Sequence, residues 1–145
     1  MSARINLLKE SPAAYKAMRG LEDYIHNSKL DGKLYELIKI RASQINGCAF
    51  CLNMHTRDAR KMGETDQRMH LLNAWRETEL YTPKEQAALA LTEAMTLIAG
   101  KPVPDAIYNE AARQFDTEEL AALMMAIVTI NGWNRIAITS ESELN

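Results

Sequence analysis

The sequence predicts an all-α fold: one domain of about seven helices. Three observations carry this. Valine occurs twice, at Val103 and Val128, whereas Ala, Leu, Met, Glu and Lys, all strong helix formers, are plentiful. Helix caps and stops recur along the chain, with apolar residues at helical spacing between them. No stretch shows the alternation of a half-buried strand. At 145 residues the chain fits one domain, 1–145, within the usual range of about 100 to 200.

The elements follow in order. Ser11-Pro12 reads as an N-cap with proline in the first turn, and Ala14, Met18, Leu21 and Ile25 recur at helical spacing behind it. Residues 27–29 read as a break. Asp31 can cap a second helix carrying Leu34, Leu37, Ile38 and Arg41. Asn46-Gly47 stops it, because both residues tolerate the left-handed conformation of a helix end. A third helix begins at Cys48 and ends at Gly63. Asp66 can cap a fourth, running to about Trp75 or Glu77. Thr82-Pro83-Lys84-Glu85 joins an N-cap, a first-turn proline and a capping-box glutamate, opening a fifth helix to Gly100. Residues 101–104, Lys-Pro-Val-Pro, form a rigid linker. A sixth helix covers 105–115. Asp116-Thr117-Glu118-Glu119 is a second capping box, opening a long seventh helix to about Thr139. Leu120, Leu123, Met124, Ile127, Ile130 and Asn131 line one of its faces. Ala121, Ala122, Met125 and Val128 make the others apolar, so it reads as buried on all sides, a central helix or a subunit interface. The tail, residues 140–145, reads as frayed.

Composition excludes several function classes. Seventeen basic and 19 acidic residues give a net charge of −2, which leaves no basic field for nucleic acid or anionic lipid. With 47% hydrophobic and 25% charged residues the chain is not disordered. Its start carries charges and no apolar core of signal-peptide length. The longest apolar run, Leu120 to Val128, is shorter than the roughly 20 residues that span a bilayer. The expectation is a cytoplasmic protein with neither nucleic-acid nor membrane partners. The two cysteines, Cys48 and Cys51, are too close to staple a secreted domain, and in a reducing compartment such a pair is chemical rather than structural.

Reactive residues gather in one place. Cys48 and Cys51 follow a helix stop, so they fall in the first turn of the next helix. The N–H groups and dipole there favour a thiolate. Residues i and i+3 of a turn lie roughly 5 Å apart at Cα, which suits a disulfide. A thiolate with a thiol beside it can attack an oxidant and then be resolved intramolecularly. His55 stands one turn after Cys51 on the same face and can take or hold a thiol proton. If the second and third helices fold back at Asn46-Gly47, Glu36 lies roughly 15 Å before the turn and His55 roughly 12 Å after it. The two are then level, and the carboxylate can orient the imidazole in a nucleophile–base–orienter arrangement.

Other readings of these residues stay open. Two thiolates and an imidazole are good zinc ligands, although a fourth is not evident, and the chain could be a zinc-binding or redox-sensing helical module rather than an enzyme. His55 and Glu36 could serve a cofactor-free decarboxylase-like enzyme with the cysteines incidental. Glu36 taken alone is an ordinary solvated helix residue. His26 and His70 have no sequence partners and read as surface residues, and the methionines as core filler.

Glu36, eleven intervening residues, then Cys48-x-x-Cys51-x-x-x-His55 resembles the signature of the AhpD-like alkylhydroperoxidase family of the carboxymuconolactone decarboxylase superfamily. Residues 37–48 look like the family's core, and so does Ile130-Asn131-Gly132-Trp133-Asn134-Arg135. The resemblance implies an AhpD-like helical fold whose centre is a helical hairpin carrying the Cys48–Cys51 site, and assembly into trimers or hexamers. It implies a thiol-dependent peroxidase or disulfide reductase active in antioxidant defence, without cofactor or metal. Glu36 and His55 would form a proton relay and Cys48 and Cys51 the redox pair. Its partners would be a hydroperoxide and a thiol or dithiol reductant. The best-known members are longer and carry a histidine between the cysteines, where this chain has Ala49-Phe50. Asn131, Trp133, Asn134 and Arg135 are left to the site, an interface or packing.

Overall fold

The computed structural model describes residues 4–144. Every regular element among them is helical: α1 (Leu7–Glu10), α2 (Pro12–His26), α3 (Gly32–Asn46), α4 (Ala49–Lys61), α5 (Asp66–His70), a 3-10 helix (Leu72–Glu77), α6 (Pro83–Thr96), α7 (Asp105–Gln114) and α8 (Thr117–Thr139). The expected all-α class is therefore observed.

The central element is α3. Every residue from Leu34 to Ile40 is buried. On one side Leu34 and Ile38 join Leu91 of α6 and Leu123, Ile127 and Ile130 of α8 in the larger apolar cluster. On the other, Leu37 and Ile40 meet Leu72, Trp75 and Leu89. Each such leucine or isoleucine, fully withdrawn from water, contributes about 1.5–3 kcal/mol. A helix clamped on two sides can also hold polar side chains away from water, and Glu36 and Lys39 are buried within the same run.

Local chemistry sets most boundaries. Asp31 accepts from Leu34 N–H at 2.9 Å, and Thr82 and Asp116 both make complete capping boxes. Gly47 ends α3 in the left-handed conformation at φ 70°. A Cβ there would meet nothing within 4 Å, so the glycine is needed for its backbone angle and not for space.

Several expectations are corrected. α1 has no apolar period to reveal it and buries no residue; Asn6 caps it by accepting from Lys9 N–H at 3.0 Å. Ser11 makes no side-chain cap, since its N–H closes α1 on Leu7 O instead. Thr65, not Asp66, caps α5. The fourth helix is two pieces, α5 and the 3-10 segment, which part at Leu71, and Ala74 leaves helical angles within the second. α6 ends at Thr96, short of Gly100.

α8 is not buried all round: Met124, Val128 and Ile138 are 41%, 47% and 44% exposed. It packs on α2, α3, α4, α6 and α7 with its other face. Its 23 residues are long and apolar enough to cross a membrane by length and composition, which the run from Leu120 to Val128 had not indicated; burial of its inner face in the core accounts for that composition. The tail is tied down at least through Ser142. Ser142 N–H donates to Ala137 O, Arg4 N–H donates to Ser140 O, and Arg4 pairs with Glu141 at 2.8 Å. Asn145 and the first three residues, part of the stretches read as a frayed tail and for a targeting signal, lie outside the described residues.

Candidate active site

The α3–α4 hairpin forms at Asn46-Gly47, and Cys48 is the N-cap of α4 rather than its first helical residue. Its Sγ accepts from Cys51 N–H at 3.3 Å, and its own N–H donates to Ser43 O at 3.0 Å. The cap role explains why a cysteine suits this place: sulfur takes the position usually given to a serine or aspartate oxygen, facing N–H groups that also stabilise a thiolate. Cys48 and Cys51 are joined as a disulfide, with Cα atoms 5.3 Å apart.

The turn before Cys48 is held by a part-buried amide network. Asn46 Nδ2 donates to the side-chain oxygens of Asn131 and Asn134, both at 2.9 Å. Asn134 Nδ2 donates to Ser43 Oγ at 2.9 Å, and Asn131 Nδ2 to Thr96 Oγ1 at 3.0 Å. Arg135 donates to Asn131 from the exposed side. Trp133 points elsewhere, donating to Glu22 Oε1 at 3.0 Å. These four α8 residues therefore fix the site's frame, three around the turn and one beneath the cavity wall.

Glu36 and His55 meet across the hairpin. Oε2 of Glu36 lies 3.4 Å from Nδ1 of His55. Both atoms are buried and neither has another hydrogen-bond partner among the described residues. The contact is slightly longer than a usual N–H···O bond of about 2.7–3.2 Å, as catalytic pairs commonly are before substrate binds. The other oxygen, Oε1, receives Lys39 Nζ at 2.7 Å. Burial pushes the Glu36 carboxyl upward, but His55 and Lys39 outweigh it and hold the group below the ordinary value of 4.5. Glu36 is thus a buried carboxylate, not the solvated residue its position alone suggests.

Cys51, His55 and Glu36 line one cavity of about 630 Å³. Cys48 does not line it and is 1% exposed, so it stands behind Cys51. The walls are divided. Phe50, Met54, Trp133 and Ile136 supply apolar surface; Arg19, Glu22, His26, Lys39 and Asp58 supply charge. Ile5 to Leu8 of the first turn and Ser142 and Glu143 of the tail complete the rim. Tyr35 sits beneath it, donating from its hydroxyl to Glu22 Oε2 at 2.9 Å. Burial and the neighbouring Glu22 push that phenol well above its ordinary value, so it stays a donor. His26 and His70 are exposed, as their isolation in sequence suggested.

Sequence reasoning missed Lys39, Glu22, Tyr35 and Asp58. Lys39 had a signal: it is i+3 from Glu36 in a run otherwise fit for the core. For zinc the geometry differs from expectation, since sulfurs joined to each other are not thiolate ligands. Glu36, His55 and Asp58 each bring one ligand atom within 4.8 Å of the others. Lys39 already occupies one oxygen of Glu36 and places a cation beside that cluster.

Residues 10–94, more than half of the chain, match the carboxymuconolactone decarboxylase family. The chain belongs to this family. The matched stretch contains the whole hairpin and every one of Glu36, Cys48, Cys51 and His55. Among relatives of this carboxymuconolactone decarboxylase family member, the uncharacterized protein YdfG of Bacillus subtilis (strain 168) is 49% identical over 138 residues, 95% of this chain and 94% of YdfG. A solved structure from Agrobacterium tumefaciens, a protein of unknown function described as a candidate antioxidant defence protein AhpD, matches with TM-score 0.95 at 42% identity over 99% of both chains. The debrominase Bmp8 matches with TM-score 0.84 at 20% identity over 95% of this chain and 74% of Bmp8, a likeness of fold. The fold of this family member is AhpD-like, and enzymes occur among the proteins that share it.

Proposed function

We propose that this protein is a thiol-dependent peroxidase that reduces organic hydroperoxides through the Cys48–Cys51 dithiol. One observation carries the reading: Cys51, His55 and Glu36 share a single cavity, with Cys48 directly behind Cys51. In the reduced protein, His55 takes the proton of Cys51. The thiolate attacks the distal peroxide oxygen, the O–O bond breaks, and the alkoxide leaves with the proton from His55. Cys51 is then a sulfenic acid. The Cys48 thiol condenses with it, forming the disulfide and releasing water. An external dithiol returns the pair to its reduced form by exchange.

Cys51 as the attacking residue is supported by its place on the cavity wall, and Cys48 as the resolving residue by its place at the helix start. The partly apolar wall suits an alkyl group on the peroxide. Cycling through a free dithiol needs a reducing compartment, hence the cytoplasm as the proposed location. The exposed apolar strip of α8, with Met124 and Val128, supports assembly with further copies of the same chain. The test is steady-state reduction of cumene hydroperoxide by dithiothreitol, with and without the protein. Turnover abolished by Cys48→Ser and by Cys51→Ser is expected. Turnover retained in the double variant would contradict the reading.

A further inference from the structure

The fold does not require a cation in the middle of α3, yet Lys39 is 5% exposed there. An apolar side chain would fill the space without losing hydration. Its surroundings show what the charge serves. Nζ meets Glu36 Oε1 at 2.7 Å and lies 4.0 Å from the centroid of the Tyr35 ring. The Tyr35 hydroxyl is turned away to Glu22, so tyrosine offers the ammonium only its π face. Glu22 is itself taken by Tyr35 and Trp133. Among the described residues, Glu36 is therefore the one carboxylate paired with Lys39.

We propose that Lys39 is a positioning residue: by holding Glu36 as a carboxylate with Oε2 facing His55, it fixes the neutral imidazole with its proton on Nδ1 and leaves Nε2 to accept the proton of Cys51. This rests on the roles given to Cys51 and His55 above. The argument follows the two carboxylate oxygens. With Oε1 neutralised by Lys39, Oε2 is an acceptor, and only the Nδ1–H form of His55 satisfies it. Without the ammonium, His55 alone opposes burial, and the balance at Glu36 moves toward the acid form. The acid donates to Nδ1, and the imidazole proton moves to Nε2, the side that should be a base. Asp58 increases the demand for Lys39, since its carboxylate lies within 4.8 Å of the same cluster and adds like charge. Arg19 and His26 from α2 and Glu143 from the tail also face the cavity, and none of them pairs with Glu36.

The test uses the reduced, full-length protein with nitrogen-15-labelled histidine, the His55 signals being assigned from their loss in His55→Asn. In the wild type, Nδ1 should be protonated and Nε2 not. In Lys39→Met the proton should move to Nε2, with kcat/KM for cumene hydroperoxide down about 10²-fold at neutral pH. Lys39→Arg, which keeps the charge, should restore both. Lys39→Gln keeps a hydrogen-bond donor without charge, should behave as Lys39→Met, and replaces it if that variant does not fold. Wild-type His55 protonated on Nε2, or an unmoved proton in the uncharged variants, overturns the proposal. A proton that moves in a protein without peroxide turnover overturns the peroxidase reading and leaves Lys39 in its role. Turnover with an unmoved proton does the reverse.

Discussion

Glu36 Oε2 stands 3.4 Å from His55 Nδ1, across a hairpin whose two strands of helix are joined at Gly47. These two atoms are buried, and neither has another partner among the described residues. A buried carboxylate oxygen and imidazole nitrogen with no other partner depend on each other for hydrogen bonding. Glu36→Gln and His55→Asn should each lower kcat/KM for a hydroperoxide by about 10²-fold or more. Both variants should still form the Cys48–Cys51 disulfide under a mild oxidant, because neither touches the turn that positions it. Steady-state assays and thiol counts on the same samples check the two halves.

The cysteines should behave unequally. After one equivalent of cumene hydroperoxide, Cys48→Ser should accumulate a sulfenic acid at Cys51, trapped by dimedone and located by mass spectrometry. Cys51→Ser should not accumulate one at Cys48, which is 1% exposed and does not face the cavity. The opposite pattern would exchange the two roles.

The central hairpin and the placement of its reactive residues were legible in the sequence because each part has a local cause. Asn46-Gly47 announces the turn, and the Cys48, Cys51 and His55 spacing is a property of one helical turn. Even the level pairing of Glu36 with His55 follows from rise per residue once the hairpin is assumed. What was not legible depends on which faces are covered. Glu36 and Lys39 are charged residues, and nothing in α3 alone says that residues of α2, α4 and α8 enclose the cavity they face. α8 misled in the opposite direction: its composition promised burial on every side, and one face with Met124 and Val128 is open. α1 escaped because it rests on one Asn6 cap and buries nothing.

Asn134 is fully buried and links Asn46 to Ser43. Asn134→Leu should leave Ser43 Oγ without its partner and Asn46 with Asn131 alone, and destabilise the protein by about 1–3 kcal/mol. Urea denaturation measures this. The same variant should slow disulfide formation, since Ser43 and Asn46 hold the backbone that presents Cys48. A change in stability below a few tenths of a kcal/mol would contradict the network's role.

Acid should act through Glu36. Its carboxyl is held below the ordinary value of 4.5 in the folded protein. A group with a lowered folded pKa stabilises the fold above its unfolded pKa, and that contribution is lost as pH falls through the folded one. Wild type should therefore lose stability on acidification below about pH 4.5, more steeply than Glu36→Gln, which has no proton to take up there. Urea midpoints measured across the acid range check the sign. Equal slopes would show that Glu36 ionises alike in both states.

The outer face of α8 gives the prediction about assembly. Val128→Asp, at a position 47% exposed, should leave the monomer folded and shift the proposed oligomer toward it. Light scattering after size exclusion reads this directly. An unchanged mass would move the interface elsewhere.

The central claim is that Cys48 and Cys51 form one redox centre served by Glu36 and His55. Its most direct test is a titration of the fully reduced protein with cumene hydroperoxide, counting free thiols and alcohol product together. The account predicts two thiols lost and one alcohol formed per peroxide, with both thiols recovered on adding dithiothreitol. Peroxide that remains unreduced while both thiols persist would contradict it.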